Sequence, residues 1–130
     1  MILRHVALTC SSEENSDRFF KKLLGLEKSE PKILSGSLAK AIFNIEAELM
    51  MINYRSQKLH FEIFIAGDSE KSIKDIAHVC LEVQDLETLL KKCRHLDVEV
   101  SRIPKGERTL TFIRDYDGNL FELKQKQPNE

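Results

Sequence analysis

Two of the four histidines in this 130-residue chain open words that repeat, HVALTC at residues 5–10 and HVCLEV at residues 78–83. Both words alternate with the two-residue period of a strand, so His5, Ala7 and Thr9 share a face, and His78, Cys80 and Glu82 share the equivalent one. Further along, LHFEIFI and LFELK carry Glu62 and Glu122 at aligned positions. One imidazole and one carboxylate from each of two equivalent places make a mixed nitrogen and oxygen donor set. Borderline divalent ions such as Zn2+, Ni2+, Co2+, Mn2+ and Fe2+ accept such a set and keep positions open for water or substrate. A lone strand histidine is usually an exposed or hydrogen-bonded residue. Two at equivalent positions, each matched by a glutamate, point to a metal centre of His5, Glu62, His78 and Glu122.

The other reactive side chains have weaker claims. His60 shares the face of Glu62 and competes with it as a ligand, but its counterpart in the repeat is Leu120. His95 ends a helix beside Arg94, where a cation complements the helix dipole. Cys80 lies two residues from His78 on the same face, where a soft-metal contact is one reading and a small buried hydrophobe the more ordinary one; Cys10 and Cys93 read as packing residues. Arg102, Arg108 and Arg114 are candidates to meet an anionic substrate group, with nothing in the sequence to rank them.

The elements that must position the four candidates follow from the same repeat. After the first strand comes SSEENSDRFFKKLLGL. Ser11 or Ser12 is placed to cap a helix there, Phe19, Phe20, Leu23 and Leu24 form its apolar stripe, and Gly25 ends it. After the second comes QDLETLLKKCRHLDV, with Asp85 as the cap and Leu86, Leu89, Leu90, Cys93 and Leu96 as the stripe. Three strands are predicted after each helix, at 38–45, 47–54 and 59–66, then at 98–103, 108–114 and 119–125. Pro104-Lys105-Gly106 and Asp117-Gly118-Asn119 mark turns, and residues 31–36 read as a loop. If a helix covers Val6 and Leu8, Phe61, Ile63 and Ile65, Val79, Leu81 and Val83, and Phe121 and Leu123, then all four site candidates point the other way.

The expected fold is therefore α+β, with two tandem βαβββ modules forming a cupped mixed sheet and the helices on its outer face. The modules are placed at 1–66 and 77–126 of a single 1–130 domain, joined by the polar linker 67–76. Pairing of the modules about a pseudo-twofold axis brings the four side chains to the floor of one trough.

Composition excludes several classes. With 20 basic and 21 acidic residues the net charge is −1, so no global field draws the chain to nucleic acid or an anionic membrane. No apolar run approaches a membrane span, and the opening MILRHVALTC is too short and polar for a secretory leader, so a cytoplasmic location is expected. Three cysteines without CxxC spacing argue for reduced thiols.

The pattern resembles the vicinal oxygen chelate superfamily, which embraces glyoxalases, bleomycin-resistance proteins and extradiol dioxygenases. The resemblance covers nearly the whole chain and is carried by the paired βαβββ units, HVALTC and HVCLEV, FFKKLLGL, and RDYDGNLFELK. The His, Glu, His, Glu set is similar to that of short bacterial glyoxalase I enzymes. It implies one divalent metal ion, a homodimer, and lyase or isomerase chemistry on a small α-keto or hemithioacetal substrate through an enediolate. Glu122 is then the catalytic base and Glu62 its counterpart. Alternatives within the resemblance are a ligand-sequestering resistance protein and a metal-dependent epimerase, which usually has Gln where Glu62 stands. Glyoxalase I proteins commonly carry an Arg four residues after the first His and an Asn four residues after the first Glu to hold glutathione. Here Thr9 and Ala66 occupy those places.

Overall fold

The computed structural model describes residues 3–66 and 77–128, so the predicted linker 67–76 lies outside the described residues. The chain divides into two compact units, Met1–Ser69 and Glu70–Glu130.

The first unit runs β1 (Val6–Cys10), α1 (Glu13–Ser16), a wider π-type continuation of that helix (Asp17–Leu23), β2 (Glu27–Lys28), β3 (Lys32–Leu34), α2 (Gly36–Phe43), β4 (Leu49–Arg55) and β5 (His60–Ile65). Its sheet has the order β1-β5-β4-β2, with β3 also paired to β4. The β1–β5 pair is parallel and the rest are antiparallel. Parallel neighbours need a crossover, and the first helix begins it. Ser12 caps that helix by accepting from the Asn15 N–H at 3.1 Å, and Glu13 and Glu14 sit at the positive end of its dipole. The helix widens at its end, where the Leu24 N–H bonds the Phe19 carbonyl five residues back at 3.0 Å. Gly25 then stops it at φ +72°, a conformation that penalises any Cβ.

That helix buries Phe19, Phe20 and Leu23 on the sheet. The Phe20 ring lies 5.3 Å from Phe61 and 5.4 Å from Tyr54. Each such aromatic contributes about 1.5–3 kcal/mol on burial. A polar thread through this core runs from the Tyr54 hydroxyl, which donates to Asp17 Oδ1 at 2.7 Å and meets Ser16 Oγ at 2.7 Å. Burial pushes the Tyr54 phenol far above its ordinary value. Lys28 reaches Glu13 and, at 3.0 Å, Asp17, ion pairs that raise its pKa and tie β2 to the helix.

The second unit runs β6 (His78–Val83), α3 (Leu86–His95), β7 (Glu99–Lys105), β8 (Arg108–Arg114) and β9 (Leu120–Gln125), in the order β6-β9-β8-β7. Again the first strand lies parallel to the last. Asp85 caps α3 through the Thr88 N–H at 3.1 Å, and Leu90 and Cys93 are its buried residues. The β7–β8 hairpin closes at Lys105 and Arg108, with Gly106 at φ +63°. Pro104 consequently sits inside β7, which tolerates a missing N–H because it is the edge strand.

One expected element is corrected. Residues 38–45 do not form a strand; Gly36–Phe43 is the helix α2. Ser35 caps it through the Leu38 N–H at 3.3 Å, and Asn44 ends it at φ 60°. Strand pairing on β4 is instead supplied earlier, by β2 and by β3, and β3 falls within residues 31–36, which read as a loop. The segment GSLAKAIF carries Leu, Lys and two Ala, good helix formers, and Ser35 just before it supplies the cap that an extended strand would not use. Both units are mixed α+β, as the repeat implies.

Candidate metal centre

In the first unit the register of β1 on β5 pairs Val6 with Phe61 and Ala7 with Glu62, so His5, just before β1, lies diagonal to Glu62 on the same face. His5 Nε2 stands 3.7 Å from Glu62 Oε2. In the second unit His78 pairs with Leu120 and Cys80 with Glu122, which sets the same diagonal between His78 and Glu122. His78 Nε2 stands 3.8 Å from Glu122 Oε1. Two parallel pairings of unlike sequences thus arrive at one geometry. The side-chain exposures match as well, at 42% and 21% in the first unit and 41% and 17% in the second. Each histidine is open to solvent while each glutamate is held against the sheet.

These separations exceed a hydrogen bond, which ends near 3.2 Å for nitrogen and oxygen. They fit two donors of one ion: at metal–ligand distances of about 2.0–2.2 Å, neighbouring donors stand roughly 3–4 Å apart. Each pair is therefore spaced as two donors to one divalent cation are, and the imidazole with carboxylate chemistry suits the borderline metals named above.

The surroundings of the two pairs differ. Beside the first, His60 Nε2 meets Asn53 Oδ1 at 2.6 Å, and the His60 ring lies 5.4 Å from that of His5. Burial, then the charges of Arg55 and His5, lower the His60 pKa. His60 is therefore a neutral ring whose Nε2–H donates to the amide oxygen, a tautomer assigned from that bond. Its Nε2 is engaged and it competes poorly with Glu62. Beside the second pair the equivalents of His60 and Asn53 are Leu120 and Phe112. The Phe112 ring packs edge-on to His78 at 6.1 Å. Asn53 is 5% exposed and pairs directly across from Glu62. Sequence reasoning missed it, although an amide in the apolar run LMMINY at the parity of Met51 was a usable signal. Cys80 is exposed, not buried as its small apolar character suggested, because it follows His78 onto the uncovered face. Partial desolvation and then the Glu122 carboxylate push its thiol upward. Cys10 and Cys93 are buried, as expected.

A second feature unread in the sequence is α2. It packs Ala39 against Leu49 and Phe64, residues of the face that carries Glu62. Its last residue, Phe43, meets Phe64 edge-on at 5.2 Å. Between α2 and the ends of β1 and β5 lies a pocket of about 180 Å³, whose lining includes Ala7, Thr9, Phe43, Phe64 and Ala66 and no charged side chain. In the second unit Arg114 borders a cavity of about 230 Å³ with Phe112 and Leu120. Its guanidinium is held by Glu99 at 3.5 Å and by the Gly118 carbonyl at 2.7 Å. Arg102 pairs with Glu87 at 3.3 Å.

The family model of the Glyoxalase/Bleomycin resistance protein/Dioxygenase superfamily matches residues 2–123. No curated protein sequence matches the chain. Among solved structures, a glyoxalase family protein from Enterococcus faecalis is 18% identical with a TM-score of 0.70, over 94% of this chain and 95% of that one. The fosfomycin resistance protein FosX from Listeria monocytogenes, as a mutant complexed with Mn(II) and 1S,2S-dihydroxypropylphosphonic acid, is 20% identical with a TM-score of 0.72, over 98% and 96%. The trypanothione-dependent glyoxalase I of Leishmania major is 18% identical with a TM-score of 0.65, over 93% and 84%. At these identities the likeness speaks for the fold. The superfamily includes enzymes, and its FosX member binds a divalent metal and a small molecule. Among the described residues no helix is long and apolar enough to cross a membrane. The repeated sheet units and the match over residues 2–123 establish that the chain belongs to the glyoxalase, bleomycin-resistance protein and dioxygenase superfamily.

Proposed function

We propose that the chain is a metal-dependent lyase or isomerase of the glyoxalase I type, acting on a small α-keto or hemithioacetal substrate. His5, Glu62, His78 and Glu122 are the ligands of one divalent ion, of the Ni2+, Zn2+, Co2+, Mn2+ or Fe2+ class. The observation that carries this reading is the repeated diagonal pair, 3.7 Å in one unit and 3.8 Å in the other. When bound, such an ion supplies Lewis-acid stabilisation to vicinal substrate oxygens as charge develops on them. By the family resemblance Glu122 takes the proton from the adjacent carbon, and Glu62 serves the opposite face. His5 and His78 fix the site and leave the carboxylates free to move protons. The active form is a homodimer on this reading, which light scattering checks directly.

Glu122→Gln tests the role of the base. The amide keeps the shape and one oxygen donor, so the variant should retain metal by elemental analysis while losing about 10²–10⁴-fold in turnover of a hemithioacetal. Full activity in that variant sinks the assignment. A second reading, fosfomycin-type resistance chemistry, is favoured by the FosX likeness over 98% of the chain. Parallel assays with fosfomycin plus water or thiols, and with hemithioacetals, separate the two.

A further inference from the structure

The pocket beside the first His–Glu pair carries a substrate class. We propose that it receives a hydrocarbon substituent of about six carbons, so that the substrate is a small oxygen chelate with an apolar tail. This rests on the metal reading above and narrows it.

Ala7 is the cross-strand partner of Glu62, and Thr9 that of Phe64. Both Ala7 and Phe64 line the pocket. The pocket therefore continues the His5–Glu62 face by two strand residues, about 6.6 Å. A molecule with its oxygens at Glu62 needs only a short chain to fill it.

The lining offers one side-chain hydroxyl, that of Thr9, and no charge. A carboxylate or ammonium placed there loses hydration with no opposite charge to meet it. A hydrocarbon gains from the Phe43 and Phe64 rings, set edge to face at 5.2 Å. Phe43 and Ile45 remain 44% and 41% exposed at the rim, apolar surface of the kind that marks a ligand groove.

At about 180 Å³ the pocket is close to the roughly 150 Å³ apolar cavity known to hold benzene. It is smaller than the roughly 300–1,000 Å³ of pockets that enclose a whole drug-sized ligand, so it suits a substituent rather than an entire substrate.

The test is calorimetric titration of the Mn2+-loaded full chain with acetohydroxamate, butyrohydroxamate, hexanohydroxamate and octanohydroxamate. These are oxygen chelators that differ only in tail length. Affinity should rise about fourfold per methylene, roughly 200-fold from acetohydroxamate to hexanohydroxamate, and level off by octanohydroxamate. Nuclear Overhauser effects should connect the terminal methyl of hexanohydroxamate to the rings of Phe43 and Phe64. In Ala66→Phe, which fills the pocket from an exposed position, the ratio of the hexano to the aceto affinity should fall below about tenfold. A flat series with acetohydroxamate still bound overturns the apolar subsite and leaves the metal reading standing. A pocket closed by a second copy of the chain also gives a flat series, with Ala66→Phe monomeric in light scattering, and overturns the proposal. Failure to take up Mn2+ or to bind acetohydroxamate overturns the metal reading, and the tethered tail with it.

Discussion

Replacing His5, His78 and His60 by alanine, one at a time, tests whether the two matched pairs are ligands. Four-donor zinc sites hold their ion with about 10–16 kcal/mol, or about 2.5–4 kcal/mol for each donor if shared equally. Losing one donor should therefore weaken Zn2+ binding by about 10²–10³-fold. Because the His–Glu spacings are 3.7 and 3.8 Å and the histidine exposures 42% and 41%, His5→Ala and His78→Ala should lose affinity to within about tenfold of one another. Half-exposed side chains of this kind cost little stability when truncated, about 0.5 kcal/mol or less, so folding does not confuse the result. His60 is the internal control. Its Nε2 is bound to Asn53 Oδ1 at 2.6 Å, and Asn53 is 5% exposed. Ligation through that nitrogen would orphan a buried amide oxygen at about 1–3 kcal/mol. His60→Ala should change Zn2+ affinity less than about threefold. Competition titration against a chromogenic chelator reads all three. A loss in His60→Ala as large as that in His5→Ala would refute the assignment, as would unchanged affinity in either His5→Ala or His78→Ala.

Tyr54→Phe removes a fully buried hydroxyl with partners at 2.7 Å on either side, while Ser16 keeps its bond to the Glu13 carbonyl and Asp17 keeps Lys28. The expected cost is about 1–2 kcal/mol, read as a lower urea midpoint at unchanged slope. His60 also predicts a pH dependence. Its folded pKa lies below the ordinary 6.5, so below pH 6.5 the unfolded chain binds the extra proton and stability falls with pH until the folded ring also titrates. Unfolding curves of His60→Gln between pH 7 and pH 5 should be flatter than those of the parent; parallel curves would show that His60 contributes nothing to the slope.

The repeat itself was legible because it is written in local chemistry. The Ser12 and Asp85 caps, Gly25, the period-two words and the Gly118 turn each depend on neighbours a few residues away. Strand parity then fixed the face of His5, Glu62, His78 and Glu122, since a strand covered on one side leaves no freedom for the other. Family membership followed from the same words.

Other features waited on tertiary structure. The strand expected at 38–45 became α2 because its alternation was weaker than its helix propensity and cap, and because Ala39 and Phe43 find Leu49 and Phe64 only once β4 and β5 are paired. The engagement of His60 by Asn53 is a cross-strand contact set by the β4–β5 register. Cys80 was placed wrongly by composition, since a small apolar residue is exposed when its strand partner position demands it. Sequence alone determined which residues share a face with each His–Glu pair, because side-chain parity is a property of one strand. Tertiary structure decided the spacing within each His–Glu pair and the apolar pocket beside the first, because both depend on how separate strands and α2 come to lie side by side.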